Sequence, residues 1–257
     1  MRYSLCADIM FVGVGEHGPV WPDTDGILAA IDLAAKNGLN GIELFGFENR
    51  DLAKIASYGA EKGIVIESLV AKNGQFLGSA ANDSELFEGV RESIQAAKAL
   101  NCRKIVLNAE AFDKEAAPEA VTETMIRQLK VLAPEAEAND VLLIVEPTTG
   151  GFFRKAGDAA AMIRKTGSAN VRLLYDIFHF QNMEGNICNN IKENLDVIGD
   201  IHAAGGPARG SLAESEIDYR FVLNFIKGLG YDDNICLEFF TFEGREEKVA
   251  ASCKLLA

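Results

Sequence analysis

Eight short, almost unbroken apolar runs, each followed by a longer stretch with helical spacing, constrain this chain more than any other feature. The runs cover residues 3–10, 40–45, 63–70, 103–108, 140–146, 171–176, 198–203 and 234–240. They are rich in β-branched and aliphatic residues (VLLIVE, VRLLYD, NICLEF), and their continuity marks strands buried on both faces, as in a parallel sheet. Between them lie segments such as 27–38, 51–63, 85–101 and 117–139, several of them amphipathic and closed by Gly or Asn, residues that readily end helices. Regular βα alternation favours βαβ units, parallel strands joined by helical crossovers. Eight such units in 257 residues fit one closed barrel, and no linker or Pro-rich break divides the chain. The expected fold is α/β, a single (β/α)8 TIM barrel occupying residues 1–257.

Charge narrows the partners. Asp and Glu outnumber Lys and Arg 38 to 25, and the net charge of −13 repels phosphate backbones with no basic stretch to offset it. Nucleic acid is therefore not an expected partner. Cys6, Cys102, Cys188, Cys236 and Cys253 are odd in number and never in C-x-x-C spacing, which argues against a disulfide framework or a zinc knuckle. The N-terminal MRYSLCADIMFVGVG lacks the plan of a secretion signal, and no apolar run approaches the ~20 residues that span a bilayer. The expectation is a soluble, cytoplasmic protein with no membrane partner, and the sequence leaves homo-oligomerisation open.

Chemistry enters at the strand ends. Six runs end in or beside a carboxylate or histidine: Glu43, Glu67, Glu146, Asp176, His202 and Glu238. In a barrel the C-terminal ends of all strands open onto one face, so ligands distant in sequence become neighbours. Glu146, Asp176, His202 and Glu238 can converge there on one divalent ion. A mixed oxygen and nitrogen set suits Mn²⁺ or Mg²⁺ and is compatible with Co²⁺, Fe²⁺ or Zn²⁺, and the histidine leans it toward a transition metal. Four protein ligands leave room on the ion for a substrate with adjacent oxygens, whose carbonyl it would polarise. A nearby carboxylate could then remove the neighbouring C–H proton to give a metal-stabilised ene-diolate, with Glu146 and Glu238 as the acid/base pair. Returning the proton to the adjacent carbon is isomerisation; returning it to the opposite face of the same carbon is epimerisation.

Other residues support this site or merely pack beside it. Glu43 and Glu67 are candidates to hydrogen-bond substrate hydroxyls or the groups around the ligands. The four longest irregular segments all follow strand ends, after runs 1, 5, 6 and 7, where long loops are often functional. His17 and Trp21 in the first, with Phe152 and Phe153 in the second, form either an apolar wall over a sugar or simple packing on the rim. The glycines of GVGEHG and AAGGPARG lack the strand-to-helix setting of a phosphate loop.

With these pieces in place the sequence resembles the xylose isomerase-like TIM-barrel superfamily of sugar isomerases and epimerases, and most of all its hydroxypyruvate isomerase-type branch. The matching motifs are V-E-P at 145–147, Y-D-I-F-H at 175–179, I-H-A-A-G-G-P-A-R-G at 201–210, E-I-D-Y at 216–219 and L-E-F at 237–239. The resemblance implies metal ligation by Glu146, Asp176, His202 and Glu238, proton transfer by Glu146 and Glu238, and substrate binding by His179 and Arg209. It also implies a small sugar or hydroxy-keto acid substrate and a place in carbohydrate metabolism. Two positions depart from the branch. His202 stands where glutamine is usual, as in ketose 3-epimerases, and Thr148 replaces an asparagine common after the E-P, so hydroxypyruvate itself is not fixed as the substrate.

Two other readings keep the fold. One is metal-dependent hydrolysis of the endonuclease type, which recruits many histidines where this chain has His17, His179 and His202. The other is a non-catalytic ligand-binding barrel.

Overall fold

The computed structural model describes residues 1–256. Eight parallel strands close the barrel: β1 (Arg2–Cys6), β2 (Gly41–Leu44), β3 (Val65–Val70), β4 (Lys104–Asn108), β5 (Leu142–Glu146), β6 (Val171–Asp176), β7 (Ile198–Ala203) and β8 (Asn234–Leu237). Closure comes from β1, which pairs with β2 on one side and β8 on the other. The amphipathic segments form the outer helices, including Thr24–Lys36, Leu52–Lys62, Asp83–Leu100, Pro118–Ala138, Ala156–Thr166 and Tyr219–Gly228. No helix among the described residues is long and apolar enough to cross a membrane.

The first and eighth expected strands stop well before the ends of their apolar runs. The first stops at Cys6, and Ala7–Phe11 forms a short helix. A continuous apolar run does not by itself distinguish strand from buried helix. Here the buried Asp8 leaves the barrel wall to bind Arg50 and to accept the Phe45 N–H at 2.8 Å. The eighth strand ends its pairing at Leu237, after which Glu238 N–H donates to Ala203 O and Phe240 N–H to Arg209 O, both at 3.0 Å.

The barrel interior has an apolar half and a polar half. Val106, Ile144 and Leu174, with Val70 and Leu142 against them, fill the side lined by β3 to β6. The rest of the interior carries Ser4, Glu43, Ser68, Lys104, Asp200 and Asn234, all buried. Buried polar groups are costly unless hydrogen-bonded. Asn234 Nδ2 donates to Ser4 Oγ (3.0 Å), Glu43 Oε1 (2.7 Å) and Asp200 Oδ1 (3.1 Å), and Lys104 Nζ to Asp200 Oδ2 (2.9 Å).

Register irregularities decide which side chains reach this interior. Between β2 and β3 the pairing steps from Ile42↔Ile66 to Glu43↔Ser68, which passes over Glu67. Between β6 and β7 it steps from Leu173↔Ile198 to Leu174↔Asp200, passing over Gly199. A side chain at Gly199 would come within 2.6 Å of Arg172 Cβ, so this step needs glycine. The alternation of strand residues then aligns Asp200 with His202, one above the other.

Candidate active site

The C-terminal mouth of the barrel brings four side chains together. Glu146 ends β5, Asp176 ends β6, His202 is the penultimate residue of β7, and Glu238 directly follows β8. Registers Asn108↔Glu146 and Asp176↔His202↔Cys236 hold them at one height. All four are buried, and one donor atom from each lies within 4.8 Å of every other. His202 Nδ1 lies 2.8 Å from Glu238 Oε2 and 3.6 Å from Glu146 Oε1, so this nitrogen faces the carboxylates.

Each member is held by a neighbour. Asn108 Nδ2 donates to Glu146 Oε2 at 2.8 Å. Asp176 caps the helix Ile177–Met183 by accepting the His179 N–H at 3.0 Å, leaving its other oxygen for Arg209 at 3.0 Å. Arg209 also donates to Glu238, stands 3.0 Å from His179 Nε2, and stacks 5.1 Å from the Phe178 ring centre.

The loop that carries Arg209 is closed by reciprocal bonds between Gly205 and Gly210 at 2.7 and 2.9 Å. A side chain at Gly205 would strike Ser211 O at 2.2 Å. Arg209 itself takes φ +53°, a left-handed conformation that non-glycine residues adopt at a cost and often at functional sites.

Electrostatics follow from this crowding. Burial, and then the Glu238 charge, push the Glu146 carboxyl up to about 8. Burial would also raise Asp176, but Arg209, His179 and His202 pull it down to about 2. His202 is raised well above the usual histidine range because Glu238 and Glu43 outweigh its burial. Burial lowers His179. The cleft above has a volume of about 620 Å³, the size of a small-ligand site. Ile9, Phe45, Val70 and Phe178 supply apolar walls, and Asn108, Glu110 and Thr148 a polar one.

The chain is similar to a known group of barrels. The profile described as xylose isomerase-like TIM barrel matches residues 31–257. The chain belongs to this family. Within it, the chain is 28% identical to the hydroxypyruvate isomerase of Escherichia coli (strain K12) over 162 residues, 61% of this chain and 63% of that protein. It is 25% identical to the 2-oxo-tetronate isomerase of Cupriavidus necator over 218 residues, 82% and 77% of the two. An L-ribulose 3-epimerase structure superposes with a TM-score of 0.84 at 18% identity, covering 99% of this chain and 93% of that one. The IolI protein with a zinc atom bound gives 0.80 at 18% identity, covering 99% and 96%. Isomerases and epimerases recur among these relatives, and the chain is an enzyme of that class.

For this family member, not every expected site residue reaches the cleft. Glu146, Asp176, His202 and Glu238 meet as expected, and His179 and Arg209 join them. Glu43 lies beneath His202, buried and fully engaged, where it touches no cleft space. Glu67 is a correction: the β2–β3 register step gives its expected place to Ser68, and its carboxylate pairs with Arg2 at 2.9 Å at the opposite end of the barrel.

His17 is a second correction, since it sits exposed in the turn of a hairpin, Gly13–Gly15 against Gly18–Val20, and does not line the cleft. Trp21 packs against Phe45, ring centres 5.6 Å apart. Phe152 and Phe153 pack edge-on to each other, and Phe152 edge-on to Phe112, away from the cleft.

Asn108 and Glu110 were not expected at the site. The signal was present in VLNAE, where the fourth strand also ends in polar residues. Glu110 accepts a 2.8 Å hydrogen bond from Thr148 Oγ1.

Proposed function

We propose that this chain is a metal-dependent isomerase or epimerase acting on a small sugar, sugar acid or hydroxy-keto acid. The observation that carries the reading is the convergence of Glu146, Asp176, His202 and Glu238, with one donor atom from each within 4.8 Å of the rest. Three carboxylate oxygens and one imidazole nitrogen in reach of a common point form a donor set that suits a divalent ion, Mn²⁺ or Mg²⁺ first, with Co²⁺, Fe²⁺ or Zn²⁺ compatible. When bound, such an ion would supply Lewis-acid polarisation of a substrate carbonyl and hold its adjacent oxygens in place.

The chain's own residues do the rest. Glu146 and Glu238 reach the site from β5 and β8, strands separated by two others, so they approach a bound substrate from different directions. In this reading one takes the proton from the carbon beside the carbonyl and the other, or the same one, returns it. Glu146, desolvated and raised to about 8, is able to carry a proton near neutral pH. Asn108 keeps its carboxyl from turning away. Arg209 and His179, at the lip of the site, present donors to substrate oxygens, and Phe178 and Phe45 keep water from the reacting carbon.

Hydrolysis of the endonuclease type loses support here, because His17 lies on an exposed hairpin and only two histidines remain near the cleft. Metal analysis of the purified protein, paired with an activity screen over short ketoses, tetronates and hydroxypyruvate, tests the proposal. Conversion lost on exhaustive chelation and restored by Mn²⁺ or Mg²⁺ is the expected result. Full activity after chelation would overturn it.

A further inference from the structure

Glu43 is the most tightly held carboxylate in the barrel. Ser4 Oγ (3.2 Å) and Asn234 Nδ2 (2.7 Å) donate to Oε1, while Ser68 Oγ (2.5 Å) and His202 Nε2 (3.0 Å) donate to Oε2. It is 2% exposed and lies on the far side of His202 from the cleft. Its four partners come from four different strands, and the three besides His202, on β1, β3 and β8, lie outside the ligand set, so the barrel fixes its position.

An imidazole offers two nitrogens and a flat ring that can turn. With Nε2 committed to Glu43, the nitrogen left facing Glu146 and Glu238 is Nδ1, at 3.6 and 2.8 Å. Metal-ligating histidines commonly donate their second N–H to a carboxylate, which fixes ring orientation and tautomer and raises the basicity of the ligating nitrogen. We propose that Glu43 is a positioning residue that commits His202 Nε2 and thereby assigns Nδ1 as the ligating nitrogen, an inference that rests on the metal reading above. Its supports in turn, Ser4, Ser68 and Asn234, extend that role down the polar half of the barrel interior.

The experiment measures ion binding and nitrogen identity and does not depend on turnover. Zn²⁺ and Mn²⁺ affinities are determined by chelator competition for the wild-type chain, Glu43→Gln, Glu43→Met and Ser68→Ala. Nitrogen-15 spectra of the Zn²⁺-loaded wild type report which ring nitrogen of His202 is metallated, a tractable assignment with three histidines.

Expected are a metallated Nδ1 and a protonated Nε2, an affinity loss of about 10–100-fold in Glu43→Met, a smaller loss in Glu43→Gln, which keeps an acceptor oxygen, and the smallest in Ser68→Ala. Metallated Nε2, or wild-type affinity in both Glu43 variants, overturns the role of Glu43 alone. Two ions per chain would overturn it as well, since Glu43, His202 and Cys236 lie within 4.8 Å of one another and would then hold an ion themselves. No binding by the wild type would remove the metal reading and this inference together. Should a Glu43 variant fail to fold, the nitrogen assignment in the wild type decides.

Discussion

The barrel holds a charge cluster at each end, partly exposed at the N-terminal end and buried at the other, and the two are built differently. At the N-terminal end Arg2 bridges Glu67 and Asp233 at 2.9 and 2.7 Å, and Lys104 bridges Asp200 and Asp233 at 2.9 and 3.0 Å. Each carboxylate there is spaced by a cation that satisfies it. At the C-terminal end Glu146, Asp176 and Glu238 crowd one another around His202, with Arg209 gripping two of them from the rim. Among the described residues, only groupings that include His202 bring three candidate ligands within reach of one ion. The first arrangement sets a cation beside every carboxylate, although burial still raises Asp200 to about 7. The second sets carboxylates against one another, and burial with the Glu238 charge raises Glu146 to about 8, a kind of perturbation that clusters at functional sites.

The largest expected difference between the ends lies in turnover. Glu146→Gln and Glu238→Gln each remove a proton carrier and should lower kcat by about 10²- to 10⁴-fold, while thermal unfolding stays at or above the wild-type temperature. Kinetics beside calorimetry check both halves of that statement. A loss of stability comparable to the loss of activity would erase the distinction between the clusters.

Lys104→Met should do the reverse. It leaves the buried Asp200 carboxylate unpaired and is expected to destabilise by about 3–5 kcal/mol, seen in denaturant unfolding, while the folded variant keeps near-normal kcat.

Dependence on pH separates the ends more finely. Burial raises Glu146 from 4.5 to about 8 and Asp200 from 3.8 to about 7. A group raised on folding contributes stability below its ordinary value and loses it as pH climbs through the folded one. Asp176 and Glu43, held near 2, contribute above their ordinary values and lose that only in strong acid. Between about pH 5 and 8, therefore, the chelator-treated protein should become less stable as pH rises. Glu146→Gln should flatten part of that slope, and Mn²⁺ should raise the melting temperature most at the alkaline end, because binding displaces protons. A melting temperature independent of pH across this window would contradict the assignment.

The smallest effect belongs to Arg2→Ala. The arginine is half exposed, so despite its two partners the change should cost no more than about 1 kcal/mol in urea unfolding and leave turnover unchanged.

The same contrast explains how much the sequence disclosed. Buried strands announce themselves by apolar continuity, and a carboxylate closing such a run stands out, which is why Glu146, Asp176, His202 and Glu238 were legible. The barrel rule supplied their common face. Glu67 also stands in an apolar strand, but a register step between two strands is a pairing property, and the pattern of β3 alone does not carry it. His17 was misplaced because a loop's path depends on how its hairpin folds back. The polar end of VLNAE marks Asn108 and Glu110, but the bond that Asn108 donates to Glu146, the one that Glu110 accepts from Thr148, and the cross-strand contacts of Glu43 emerge only when the strands are brought side by side.

Isotope exchange at the reacting carbon tests the central claim most directly. Substrates from the activity screen are incubated in D₂O with wild type, with chelator-treated wild type and with Glu238→Gln, and deuterium beside the carbonyl is followed by NMR. The account predicts incorporation by the wild type with Mn²⁺ present, lost on chelation, restored by Mn²⁺, and absent from Glu238→Gln. Incorporation at the wild-type rate by the chelated protein or by Glu238→Gln would contradict it.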